Sequence, residues 1–182
     1  CPAVARTNWI KEFEMWSRIN REFHTVDDLS TLVPKTKSVV TSYDLADPTR
    51  ILGDFDVMIL DEAHYLKSIN TQRTRFVLGV HGLIRRAKRT WALSGTPAPN
   101  HPGELWPLLY TFGLTSSTYD QFIRKFCITY ETPWGLKVRG ARMENVNELV
   151  KLMKPKTLRR KKDEVMTELP EITYATVFVD PS

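Results

Sequence analysis

The chain has 182 residues, 42% apolar and 26% charged, with a formal net charge of +5; that is the profile of a soluble globular chain of one domain, long enough for a full-sized core. Its two cysteines, Cys1 and Cys127, form no CxxC pair, which argues against a disulfide framework or zinc site and for a reducing, intracellular compartment, cytoplasmic or nuclear. No apolar run is long enough to cross a bilayer and no signal-peptide pattern is present, so no membrane partner is expected.

The charge is unevenly placed. Residues 121–170 hold 12 Lys/Arg against 6 Asp/Glu, and Tyr65 to Gly103 carries Lys67, Arg73, Arg75, Arg85, Arg86, Lys88 and Arg89 with no acid. Clustered positive charge favours a polyanion partner, although a solvated Lys/Arg face accounts for charge alone equally well.

In chain order, Trp9, Phe13 and Trp16 have helical spacing and are expected to pack into the core. Phe23 to Val26 reads as a short strand, Asp27 to Thr36 as a connector, and Ser38 to Tyr43 as a β-branched strand. Ala46 to Asp54 reads as a loop. Val57 to Leu60 is a continuous apolar run, expected to be a strand covered on both faces. Asp61 and Glu62 follow at its carboxyl end, where open α/β sheets bind ligands. One acid of such a pair can hold Mg²⁺ while the other orients or deprotonates water. The plainer reading is a cap and the first-turn acids of a following helix.

Ile69, Phe76, Val80 and Leu83 then mark one face of a helix, despite Gly79 and Gly82. Lys88 to Leu93 is the next strand, and Gly95 and Pro97 give it a sharp exit. Leu105, Leu108, Leu109 and Phe112 form the stripe of a helix opened by Pro102, which Pro107 should kink or split. Tyr119, Phe122, Ile123 and Phe126 mark a second amphipathic helix. Thr129 to Gly140 reads as a loop or β-turn excursion, and Ile172 to Val179 as a β-rich strand.

Asp61-Glu62-Ala63-His64 resembles the DEAH form of the Walker B motif of superfamily 2 helicases and translocases. Leu93-Ser94-Gly95-Thr96-Pro97 resembles motif III of the Swi/Snf-type ATPases among them. Asn8-Trp9-Ile10-Lys11-Glu12-Phe13 is similar to the helix after motif Ia of that family, and Ser38 to Tyr43 to its motif Ib. Tyr65-Leu66-Lys67-Ser68 is similar to the segment after motif II. Leu158-Arg159-Arg160 through Val165, ending Glu168-Leu169-Pro170, resembles the Leu-Arg-Arg signature, with Lys161 at a usually apolar position. Trp134-Gly135, Gly140-Ala141 and Asn145 to Leu149 resemble the annealing-helicase branch in particular.

The resemblance implies an α/β fold, a RecA-like P-loop NTPase lobe with a mostly parallel sheet, helices on both faces and an α-rich protrusion. It implies a partial lobe over residues 1–100, the protrusion and basic segment over 101–170, and a last strand leading toward a second lobe over 171–182. By family likeness Asp61 holds Mg²⁺ and Glu62 activates water, while His64, Ser94, Gly95 and Thr96 couple nucleotide state to DNA and to the partner lobe. Ser42, Tyr43, Lys67, Arg159 and Arg160 are the implied contacts to duplex DNA, independent of sequence. The implied cofactors are ATP and Mg²⁺. No Gly-Lys-Ser/Thr occurs in the chain, so the triphosphate cradle of Walker A is missing, as are motifs V and VI with their arginine finger. The chain therefore reads as an N-terminally truncated fragment of a DNA translocase, inactive alone. Two alternatives stand beside it: a metal-dependent, nuclease-like enzyme, needing a third acid such as Asp44 or Asp56, and a DNA-binding or scaffold module with an inert ATPase remnant.

Overall fold

The computed structural model describes residues 1–18, 23–27, 32–33, 38–160 and 164. Helix α1 (Arg6–Trp16) opens the chain after a 3-10 turn. Strands β1 (Phe23–Thr25) and β2 (Ser38–Val40) pair in parallel. A second parallel pair joins β3 (Phe55–Leu60) to β4 (Ala87–Ala92), in register from Phe55↔Ala87 to Leu60↔Ala92. Parallel strands need a crossover. Here it comprises a 3-10 turn (Ala63–Leu66), helix α2 (Gln72–Leu78) and a second 3-10 turn (Leu83–Arg86). The class is α/β, with parallel pairing in the core.

The crossover decides which face of β3 is buried. Leu60 joins Leu66, Val77, Leu78, Leu83 and Ile84 in the main core, with Met58 packed against it. The opposite face carries Val57 and Ile59, 45% and 41% exposed, and Trp91 beside Ile59. The expected cover on both faces is thus found on one, among the described residues. A single crossover lays its helix on one side of the strand pair, and the apolar run does not reveal which side.

Two helices differ from their expected stripes. In α1 no residue is buried and Trp16 is exposed; Phe13 meets Phe23 edge-on, with ring centroids 4.8 Å apart. Helix α2 stops at Gly79, whose extended backbone (ψ 176°) breaks the spacing, so Thr74, Val77 and Leu78 are buried and Val80 is exposed. A Cβ at Gly79 would stand 2.4 Å from the Arg75 carbonyl oxygen, so only glycine fits that stop.

A second core lies C-terminal to β4. A 3-10 turn (Pro102–Leu105) passes into α3 (Trp106–Thr111) where Pro107 enters. The expected split occurs because a proline, lacking an N–H, is accommodated in a first turn. Helix α4 (Tyr119–Phe126) starts on a capping box between Thr118 and Gln121. Strands β5 (Cys127–Thr132) and β6 (Gly135–Ala141) form an antiparallel hairpin where a loop or turn excursion was expected, and α5 (Val146–Met153) follows. Leu105, Leu109, Phe122, Phe126 and Leu149 make the core of this part. The expected strand Ile172 to Val179 and the Glu168-Leu169-Pro170 end of the Leu-Arg-Arg signature lie outside the described residues. No helix among the described residues is long and apolar enough to cross a membrane.

Candidate functional site at the exit of the parallel strands

The backbone ladder between β3 and β4 runs past the strands themselves. Leu93 N–H donates to the Leu60 carbonyl at 2.9 Å, and Ala63 N–H donates to the Leu93 carbonyl at 2.8 Å. To make the second bond the chain must turn sharply between Asp61 and Ala63. Glu62 does so in the left-handed region (φ 50°, ψ 51°), the one non-glycine residue with positive φ among the described residues. That conformation costs about 1–3 kcal/mol and clusters at functional sites. Ala63, which follows, is fully buried in the main core.

The side chains bring the two motifs together. His64 Nδ1 lies 3.1 Å from Glu62 Oε2 and 3.1 Å from Ser94 Oγ. The imidazole nitrogen thus stands between the carboxylate of one motif and the hydroxyl of the other. Ser94 Oγ in turn accepts the Thr96 N–H at 3.2 Å. Of the four residues expected to couple the motifs, His64, Ser94 and Thr96 are linked in one chain of contacts. Gly95 is exposed between them, and a Cβ there would meet nothing within 4 Å.

Asp61 is held from below and from the side. Its carbonyl accepts the Tyr43 hydroxyl at 2.6 Å, and its Oδ2 accepts the Trp9 indole N–H at 2.8 Å. Burial, reinforced by the charges of Asp61 and Glu62, pushes the Tyr43 hydroxyl far above its ordinary titration range. Tyr43 also stacks on Tyr65, with centroids 6.1 Å apart. Ser42 and Tyr43, expected to face a DNA backbone, are both buried. The Tyr43 hydroxyl therefore serves the turn carrying Asp61 and is not offered to a phosphate in this arrangement.

The donor set fits a hard divalent cation shared with phosphate. Such an ion takes one or two carboxylates and keeps several waters. Asp61 Oδ1 has no hydrogen-bond partner among the described residues, and Glu62 is half-exposed beside it. No group of three or more His, Cys, Asp or Glu side chains is placed to hold a metal among the described residues. Among the described residues neither acid considered for the nuclease-like alternative joins the pair: Asp56 pairs with Lys88 at 2.7 Å at the opposite end of β3, and Asp44 pairs with Arg73 at 3.7 Å.

Lys67 has a different position from the one expected. Its Nζ donates to Glu104 Oε1 at 2.9 Å, and the same buried carboxylate accepts the Asn100 side-chain and backbone N–H groups at 2.7 and 3.0 Å. Burial alone would raise the Glu104 pKa; the Asn100 hydrogen bonds and Lys67 outweigh it and hold the group below the ordinary glutamate value. This cluster ties the segment after motif II to the segment after motif III. His64, Tyr65, Lys67, Ser68, Thr71 and Arg73 line a cavity of about 310 Å³ alongside. Arg159 and Arg160 are exposed and outside regular structure.

Sequence reasoning missed Trp9 as a partner of Asp61, and Glu104 with Asn100 as the anchor of Lys67. Trp9 carried no such signal, because its spacing reads as packing. Glu104 left a faint one: an acid one helical turn from Leu108, inside an apolar stripe.

A family model described as SNF2-related domain matches residues 1–182. The chain is 29% identical to the Xenopus laevis SWI/SNF-related matrix-associated actin-dependent regulator of chromatin subfamily A-like protein 1 over 198 residues, covering 99% of this chain and 19% of that protein. It is 31% identical to the human DNA annealing helicase and endonuclease ZRANB3, covering 93% of this chain and 17% of the other. A chromatin-remodeling ATPase INO80 from Cryptococcus neoformans is 30% identical, again over 93% of this chain and 9% of its own length. The chain thus spans a fifth or less of the length of these relatives.

Proposed function

Because the chain belongs to the SNF2-related domain family, we propose that it forms part of the first RecA-like lobe of an ATP-driven motor that moves on duplex DNA. The observation that carries this reading is the contact chain Glu62–His64–Ser94, which bridges the exits of two adjacent parallel strands at 3.1 Å per step.

In this reading Asp61 would hold the Mg²⁺ of bound ATP, with Trp9 fixing one of its carboxylate oxygens. Bound Mg²⁺ neutralises charge on the transferring phosphate. Glu62 orients and deprotonates the attacking water. Its strained backbone sets the carboxylate beside His64, so any change at Glu62 is felt at Ser94. The Ser94-Gly95-Thr96 loop passes that change to the DNA and to a second RecA-like lobe. Duplex DNA is met through phosphates, independent of sequence, by the exposed Arg159 and Arg160 and the surrounding basic segment. Lys67, engaged with Glu104, contributes by holding the two motif segments together. Residues 1–100 correspond to a partial lobe and 101–170 to its protrusion and basic segment.

The test uses the 182-residue chain and a longer protein that carries it together with a Walker A segment and a second lobe. The longer protein hydrolyses ATP in the presence of DNA, and Glu62→Gln lowers turnover by about 10²- to 10⁴-fold, the range set by loss of a general base. The chain alone shows no turnover. Steady hydrolysis by the 182-residue chain, lost on Glu62→Gln, would contradict the lobe assignment, as would full activity of the variant longer protein.

A further inference from the structure

The hairpin of β5 and β6 presents a surface that the motor reading does not use. Cys127, where β5 leaves the end of α4, is fully buried, and Phe126 just before it belongs to the second core. The outer side is open: Ile128 and Tyr130 on β5 are 49% and 52% exposed, and Trp134 at the tip is 87% exposed. The tip is rigidly made. Pro133 and Trp134 fill the central turn positions, Gly135 takes the positive φ of 106° that closes it, and Thr132 Oγ1 donates to the Gly135 carbonyl at 2.7 Å. Trp134 thus stands on a fixed support with its ring in solvent.

Charge distinguishes this face from an ordinary apolar patch. Tyr130 pairs across the strands with Lys137, and residues opposite each other share a face. The register slips between Ile128 and Thr129, leaving Arg139 as the extra, exposed residue of the bulge. The neighbouring cations are neutralised: Arg124 by Glu131, Lys125 by Glu148 and Arg142 by Glu144. Lys137 and Arg139 have no acidic partner among the described residues. Two uncompensated cations therefore flank two exposed aromatic rings along one ribbon.

We propose that this hairpin binds an unpaired DNA strand, with Trp134 and Tyr130 stacking on bases and Lys137 and Arg139 on the phosphates between them. A single strand has the matching alternation of π faces and charges, and base–aromatic stacking is the usual means of holding it without sequence preference. A closed duplex hides its base faces and offers this surface phosphates alone. An acidic protein would satisfy the cations but leaves no reason for exposed rings beside them. The assignment rests on the reading that DNA is the partner of this chain, and it adds a contact for strand that is not paired.

The experiment measures fluorescence anisotropy of the full 182-residue chain with labelled oligo-dT of about fifteen nucleotides, a length suited to such sites, and with a blunt duplex of equal length. Tyr130→Ala with Trp134→Ala weakens oligo-dT binding about 10- to 100-fold, as expected for one or two lost stacks, and leaves duplex binding within about twofold. Trp134→Phe, which keeps a ring, restores most of the loss. Equal losses on both DNAs, or no loss on oligo-dT, overturn the proposal. Binding of oligo-rU about tenfold tighter than oligo-dT overturns it in favour of RNA. If oligo-dT binds through the hairpin while no duplex binding is seen at low salt, the hairpin assignment stands and the duplex-motor reading falls.

Discussion

At the exit of β3 and β4, the side chains of Trp9, Tyr43, His64 and Ser94 each have a hydrogen-bond partner, whereas on the β5–β6 hairpin the side chains of Tyr130, Trp134, Lys137 and Arg139 have none among the described residues. Both regions rest on well-packed cores, and both display aromatic and charged side chains. They differ in when those side chains are engaged. The strand exit is assembled before any ligand arrives, with Glu62 held in a strained turn and Asp61 fixed on two sides. Groups that must act on charge developing at one point gain from such preorganisation. The hairpin fixes its backbone and leaves its side chains to a partner, as a surface that tracks a variable polymer requires.

The comparison is sharpest where the two regions respond differently to the same perturbation. The largest effect is expected at Glu104. Three charge-assisted or amide hydrogen bonds converge on its buried carboxylate, and removing them with Glu104→Ala should cost about 1.5–3 kcal/mol, read as a lower midpoint in urea unfolding. The same group gives a pH dependence. Its pKa in the folded chain is below the unfolded value, so its stabilisation is complete above the unfolded glutamate pKa of about 4.3 and is lost as pH falls below that toward the folded value. Glu104→Gln should flatten the acid limb of the stability curve as pH falls below the unfolded glutamate pKa of about 4.3. An unchanged limb would mean that the Lys67–Asn100–Glu104 cluster does not hold the strand exit together.

A smaller effect follows at His64. His64→Ala removes one shared hydrogen bond, worth about 0.5–1.5 kcal/mol, so the fold survives. In the longer protein with a second lobe, ATP affinity should be kept while DNA-stimulated hydrolysis falls out of step with movement along DNA. Equal loss of both in proportion to ATP affinity would make His64 part of the nucleotide site and remove its coupling role.

The smallest effect is expected at Trp134. The side chain touches little, so Trp134→Ala should leave the unfolding midpoint within about 0.5 kcal/mol of the parent. Marked destabilisation would show that Trp134 is a packing residue and would erase the contrast drawn above.

The sequence by itself determined the break at Pro107, the amphipathic helix over Tyr119 to Phe126 and the strand over Val57 to Leu60 with two acids at its end. These are local consequences: proline lacks an N–H, apolar spacing follows the helical repeat, and a strand ends where charge begins. The pairing of His64 with Ser94 was foreseeable from motif order, since neighbouring parallel strands leave the sheet at the same end. Other features were decided by tertiary structure alone. Which face of β3 is covered depends on the side taken by the crossover, and Trp16 and Val80 are exposed although their spacing marks them as core. Burial turned Tyr43 from a surface contact into a support for Asp61, and a buried acid drew Lys67 inward. A side chain's partner is set by what the chain brings near it from tens of residues away, and residue type and local spacing carry no record of that distance.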